Sequence, residues 1–196
     1  MSDLAPVLAT LDANLETSLE RLFALLRIPS ISTDPAFAKD VRRAAEWLVA
    51  DLGSIGFEAA LRETPGHPMV VAHHPGPDGA PRVLCYGHYD VQPVDPLDLW
   101  ESDPFAPAIK DLGHGRKVIA GRGAADDKGQ LMLFVEACRA FKHAHGTLPC
   151  AVTLLFEGEE ESGSPSLKGF LEANAAELRA DAALVCDTSL GDRATP

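Results

Sequence analysis

Apolar positions at Leu4, Val7, Leu8, Leu11, Leu15, Leu19, Leu22 and Leu26 recur every three or four residues. That spacing predicts one amphipathic helix over residues 4–26. Pro29 ends the pattern, because proline cannot continue a helix. A second helix is predicted from Asp34 and Pro35, with Asp34 as N-cap and Pro35 at the first helical position. Its stripe runs through Val41, Ala44, Ala45, Leu48, Val49, Leu52 and Ile55, and Gly56 stops it.

Beyond Gly56 the period changes. Short apolar runs at residues 69–72, 83–86, 150–156 and 182–186 are separated by Gly, Pro and Asp. The last two are continuous rather than alternating, which suits strands buried on both faces. Between them a third helix is expected from near Gly129, with the stripe Leu131, Phe134, Val135, Cys138 and Phe141. A short fourth helix follows Ser164 and Pro165, carrying Leu167, Phe170 and Leu171. Strands alternating with helices predict an α/β domain with helices on both faces of the sheet. Residues 93–110, rich in Pro and Asp and holding Trp100 and Phe105, read as a long ordered loop.

A chain of 196 residues with 46% hydrophobic content fits one domain with a sizeable core. The formal net charge of -12 and the lack of an evident basic patch argue against a nucleic-acid binder. Cys85, Cys138, Cys150 and Cys186 form no Cys-x-x-Cys pair and read as buried reduced thiols. No basic region followed by an apolar stretch opens the chain, and no apolar run nears the ~20 residues needed to cross a bilayer. The expectation is a soluble cytoplasmic protein with no membrane partner.

In open α/β sheets, sites form at the carboxyl ends of strands. The run 83–86 is followed by Gly87, His88, Tyr89 and Asp90, and the run 150–156 by Glu157, Gly158, Glu159, Glu160 and Glu161. Asp187 follows the run 182–186, and Asp126-Asp127 precedes the third helix. One histidine and several carboxylates thus reach one sheet edge. Such carboxylates repel each other unless a cation lies among them. Imidazole nitrogen with carboxylate oxygen suits zinc, with manganese or cobalt as alternatives. Asp90 can orient His88 through the second ring nitrogen. One of Asp126 and Asp127 is expected to cap the third helix. His67, His73, His74, His114, His143 and His145 are not assigned to the site. No phosphate loop, nucleophile elbow or EF-hand spacing is present.

The segments Gly87-His88-Tyr89-Asp90-Val91-Gln92-Pro93, Trp100 with Asp103-Pro104-Phe105, residues 121–129, residues 157–164 and Asp187 together resemble the M20 metallopeptidases. The His-Tyr-Asp-Val-Gln-Pro and Glu-Glu-Ser-Gly-Ser wording is most similar to the dipeptidase, carnosinase-like branch. The resemblance implies a three-layer αβα zinc-peptidase-like catalytic domain with a mostly parallel central sheet. It implies two divalent metals: His88 and Asp187 on the first, Asp126 bridging through a cis Asp126–Asp127 peptide, and Glu161 on the second. Glu160 would be the general base and Asp90 the orienter of His88. The implied reaction is hydrolysis of the amide bond of dipeptides or short peptides. An N-acyl-amino-acid deacylase would use the same ligands, and a non-catalytic acidic rim is the rival from another class.

Two departures from the resembled pattern stand out. Residues 111–120 are longer and less regular than the usual connection, with Ala120 in the aromatic position. Family members are also much longer, with a lid and dimerisation domain and a later metal-binding histidine. Residues 1–196 are therefore expected to be the N-terminal part of a catalytic domain. The expectation is an incomplete second metal site, weak activity alone, homodimerisation only in a full-length protein, and an apolar sheet edge prone to aggregation.

Overall fold

A computed structural model describes residues 3–188. The first predicted helix is two, α1 (Ala5–Ala13) and α2 (Leu15–Leu26), broken at Asn14. The Asn14 side chain donates to the Thr10 carbonyl at 2.8 Å, so a local side-chain bond competes with helix continuation. Asp34 caps as expected, accepting from the Ala36 N–H. The capped turn is 3₁₀, Pro35–Phe37, and leads into α3 (Ala38–Ser54). Gly56, at φ +80°, follows that helix.

The strands are β1 (Glu58–Arg62), β2 (Met69–His74), β3 (Arg82–His88), β4 (Ala108–Asp111), β5 (Lys117–Ala120), β6 (Ala151–Glu157) and β7 (Ala182–Val185). The remaining helices are α4 (Lys128–His145) and α5 (Leu167–Ala173). The main sheet has the order β1-β2-β6-β3-β7. Strand β3 runs parallel to β6 and β7, while β2 is antiparallel to both β1 and β6. Only β2 therefore opposes the common direction, so the sheet is mostly parallel. Every residue of β6 is buried, as its continuous apolar run requires.

The structure holds one strand that the pattern misses and one hairpin within a stretch read as loop. Residues 58–62 gave no strand signal, because Glu58 and Arg62 flank a short Ala-Ala-Leu stretch on an edge strand. The stretch 93–110, read as a loop, ends in strand β4, which pairs with β5 in an antiparallel hairpin that sets Ala108 against Ala120 and Asp111 against Lys117.

The two sheet faces are unequally covered. Helices α2, α3 and α4 pack Leu25, Leu48, Leu131 and Val135 on Val70, Cys85, Leu154 and Phe156. On the other face Met69, Val71 and Leu155 meet Leu178, with Leu167 and Phe170 of α5 beside them. The layers are αβα, but the second is thin. All four residues of β7 are exposed, Leu184 at 46% and Val185 at 57%. Cys85 and Cys138 are buried free thiols, whereas Cys186 is exposed, because it lies past the covered part of the sheet. Among the described residues, no helix is long and apolar enough to cross a membrane.

Candidate metal centre

Parallel pairing sets His88 beside Glu157 at the carboxyl ends of β3 and β6. The ring of His88 is fully buried, and its two nitrogens face different ways. Nδ1 stands 3.3 Å from Oδ1 of Asp90 and 3.1 Å from the Asp90 carbonyl. Nε2 lies 3.1 Å from Asp126 Oδ1, 3.5 Å from Asp187 Oδ2 and 3.9 Å from Glu160 Oε2. One ligand atom each from His88, Asp126 and Asp187 lies within 4.8 Å of the others. Three separate loops thus deliver one nitrogen and two carboxylates to one point.

Asp90 is fully buried and crowded with donors. Its Oδ2 accepts from the Ser32 hydroxyl at 2.6 Å and the Glu161 N–H at 3.1 Å. Its Oδ1 accepts from the Glu160 N–H at 3.3 Å. One carboxylate therefore fixes the histidine ring and the backbone of the acidic loop together. Within that loop the three glutamates diverge. Glu159 is buried and turns away, accepting from the N–H groups of His67 and Ser166. Glu160 faces His88, and Glu161 accepts from the Gln92 amide at 2.5 Å. Glu159 Oε1 lies against Gly66.

The Asp126–Asp127 peptide is cis. Asp127 sits at the N-cap position of α4 but makes no side-chain cap bond. Asp126 is no cap either, since its carboxylate faces His88. The expected capping by one of this pair is thus not found.

The electrostatics favour a cation. Burial opposes a charged His88 imidazole, but the bond to Asp90 and the charges of Asp90, Asp127 and Asp187 overcome it and raise its pKa to about 10. Burial pushes Asp127 up to about 6, against the His88 N–H and the His88 charge. Burial likewise raises Glu161 and Glu157. Buried Asp127 Oδ1 and Glu157 Oε2 have no hydrogen-bond partner among the described residues. In the cluster itself one imidazole meets two carboxylates, and nitrogen with carboxylate oxygen is a donor set that suits zinc. The residues fit a divalent metal.

The pattern of peptidase family M20/M25/M40 matches residues 84–195, more than half of the chain. The chain belongs to this family. A Cys-Gly metallodipeptidase of Schizosaccharomyces pombe is 31% identical over 186 residues, covering 90% of this chain and 38% of the relative. The solved structure of the di-peptidase Dug1p from Saccharomyces cerevisiae has a TM-score of 0.85 at 29% identity, with 96% of this chain and 42% of that one covered. Human carnosine dipeptidase 1 gives a TM-score of 0.86 at 26% identity, with 95% and 41% covered. The chain thus spans about two fifths of the length of these M20 relatives.

Several residues of this M20 centre escape sequence reasoning. Ser32 lies far from His88 in sequence and carries no motif of its own. Gln92 and Asp127 sit inside the recognised segments, but nothing in their spacing says what they touch. Buried Glu157, which accepts from Tyr86 and Ser164, is hidden in the sequence inside an acidic run. Its place as the last residue of an apolar strand was the available signal.

Proposed function

We propose that this chain carries the metal-binding part of a two-metal dipeptidase active site, with zinc as the metal. The convergence of His88, Asp126 and Asp187 on one point carries the reading. In this assignment His88, Asp126 and Asp187 would hold the first metal, and Asp126 with Glu161 would contribute to the second. Metal bound there would activate water and polarise the scissile carbonyl. Glu160 is suited to general-base work, because it faces the cluster without belonging to it. It takes a proton from the attacking water and delivers it to the departing amine. Asp90 holds the imidazole so that Nε2 points at the cluster.

The side chain of Asp126 is 58% exposed, so the centre is open on one side. Further ligands for the second metal, the substrate-binding walls and a dimerising lid would come from the length that relatives have beyond the part matched here. Dipeptides are preferred over N-acyl amino acids as substrates, because relatives matching nine tenths of the chain are named dipeptidases.

Metal analysis after zinc loading tests the site. The wild-type chain retains zinc and His88→Ala does not; equal retention by both refutes the assignment. A chain extended to the relatives' length should hydrolyse Cys-Gly or β-Ala-His faster than N-acetyl or N-succinyl amino acids. The opposite ranking would make it a deacylase.

A further inference from the structure

The segment joining α2 to α3 touches both loops that deliver the proposed ligands. At the first loop, the Ser30 hydroxyl donates to the Tyr89 carbonyl at 2.6 Å. The Val91 N–H returns a bond to the Ser30 carbonyl at 3.0 Å, and Ile31 bridges to Val91 in parallel. The Ser32 hydroxyl then reaches Asp90 Oδ2 at 2.6 Å. At the second loop, Lys128 directly follows Asp126-Asp127 and is fully buried. Its Nζ donates to the carbonyls of Leu25 at 3.1 Å and Ile28 at 2.7 Å. These carbonyls belong to the last turn of α2 and the residues after it, and each also accepts one backbone N–H, Leu25 from Ile28 at 3.2 Å and Ile28 from Ser30 at 2.9 Å.

We propose that Ser32 and Lys128 are positioning residues for the metal centre. Ser32 acts through Asp90 on His88, and Lys128 acts on the turn that bears Asp126. The inference rests on the metal-site reading above. The segment 25–32 ties together two ligand-bearing loops that also meet directly where the Asp127 carboxylate accepts the His88 N–H at 3.0 Å. A burial role alone does not explain the contacts. Ser32 spends its hydroxyl on a carboxylate that already receives two backbone N–H groups. Lys128 sends a charged group to two carbonyls that each already accept a backbone N–H, where an apolar side chain would fill the space without needing acceptors.

Zinc affinity of this chain, measured by competition with a chromogenic chelator, tests the proposal alongside thermal unfolding of the metal-free protein. Ser32→Ala should bind zinc about tenfold more weakly, the lower end of the effect of partners that orient metal ligands. It should leave the unfolding midpoint nearly unchanged. Ser32→Thr, which keeps the hydroxyl, should bind like wild type. With cobalt substituted, Ser32→Ala should shift the visible absorption band and Ser32→Thr should not. Lys128→Met should weaken zinc binding further, with Lys128→Arg recovering part of the loss.

Equal zinc affinity in Ser32→Ala and wild type overturns the proposal. So does an affinity loss that Ser32→Thr fails to restore, or one that follows a falling midpoint in proportion. Absence of zinc binding by the wild-type chain sinks the metal-site reading itself, which separates the two failures. Because Ser32 lies at the site's margin, its variants decide the matter even if the Lys128 variants do not fold.

Discussion

The Asp127 carboxylate accepts the His88 backbone N–H at 3.0 Å. The residue at the start of α4 thereby serves the neighbouring strand tip instead of its own helix. Asp127→Ala would leave a buried N–H without an acceptor, at a cost of about 1–3 kcal/mol. Asp127→Asn, whose amide oxygen can accept, should lose much less. Urea unfolding of the two variants measures the difference; equal losses would show that the bond contributes little.

Much of this fold was legible in the sequence because its signals are local. The run ending at Phe156 is continuous and apolar, so β6 is buried on both faces. Asp34-Pro35 announces a helix start through capping chemistry, whereas at Asn14 a local side-chain bond overrides a periodic stripe. The site was legible to the extent that strand ends are informative: His88, Asp126 and Asp187 each follow or precede a clear element. What the sequence hid was long-range. Nothing near Ser32 indicates that it meets Asp90, and the β4–β5 hairpin is built from residues such as Lys117 and Asp111 with little strand preference. Direction was hidden too, since adjacent Asp126 and Asp127 look equally fit to cap α4.

Glu160→Gln in a full-length version should retain metal and lose about 10²–10⁴-fold in kcat, the usual contribution of a positioned proton carrier. Metal content and steady-state kinetics on the same preparation check this. Full activity in that variant would remove Glu160 from the reaction.

Asp90→Ala should weaken zinc binding by about 10–100-fold, because the imidazole loses the partner that sets its orientation. The same substitution frees the N–H groups of Glu160 and Glu161. Amide hydrogen exchange in the segment 159–163 should therefore quicken, and unchanged exchange there would separate the two roles.

Acid should act partly through Glu136, which accepts from Arg21 at 2.7 and 2.6 Å and from Ser18 at 2.8 Å. Burial raises its pKa, but the bonds from Arg21 and Ser18 and the charges of Arg139 and Arg21 outweigh burial and hold it below the usual glutamate value. The folded state then binds fewer protons than the unfolded one at this group. Its stabilisation is present above the unfolded pKa and fades as pH falls through the folded value. Glu136→Gln should be less stable than wild type at neutral pH, with the gap closing on acidification. Midpoints from thermal melts across that range check the sign.

Strand β7 exposes Leu184 and Val185 at the sheet edge. Val185→Lys should reduce light scattering at high concentration, since a charge on an open edge discourages strand-to-strand association. Unchanged scattering would place the tendency elsewhere, with the exposed Leu97 and Leu99 as the next surface to alter.

Gly87 immediately precedes His88, and a Cβ there would meet Asp127 Oδ2 at 2.7 Å and Leu131 Cβ at 3.0 Å. A methyl group at this position would wedge α4 off the strand tip and pull the Asp126 turn out of reach of the imidazole. The nearness of two loops therefore hangs on a missing carbon, and the smallest possible side chain becomes a spacing constraint on the whole centre.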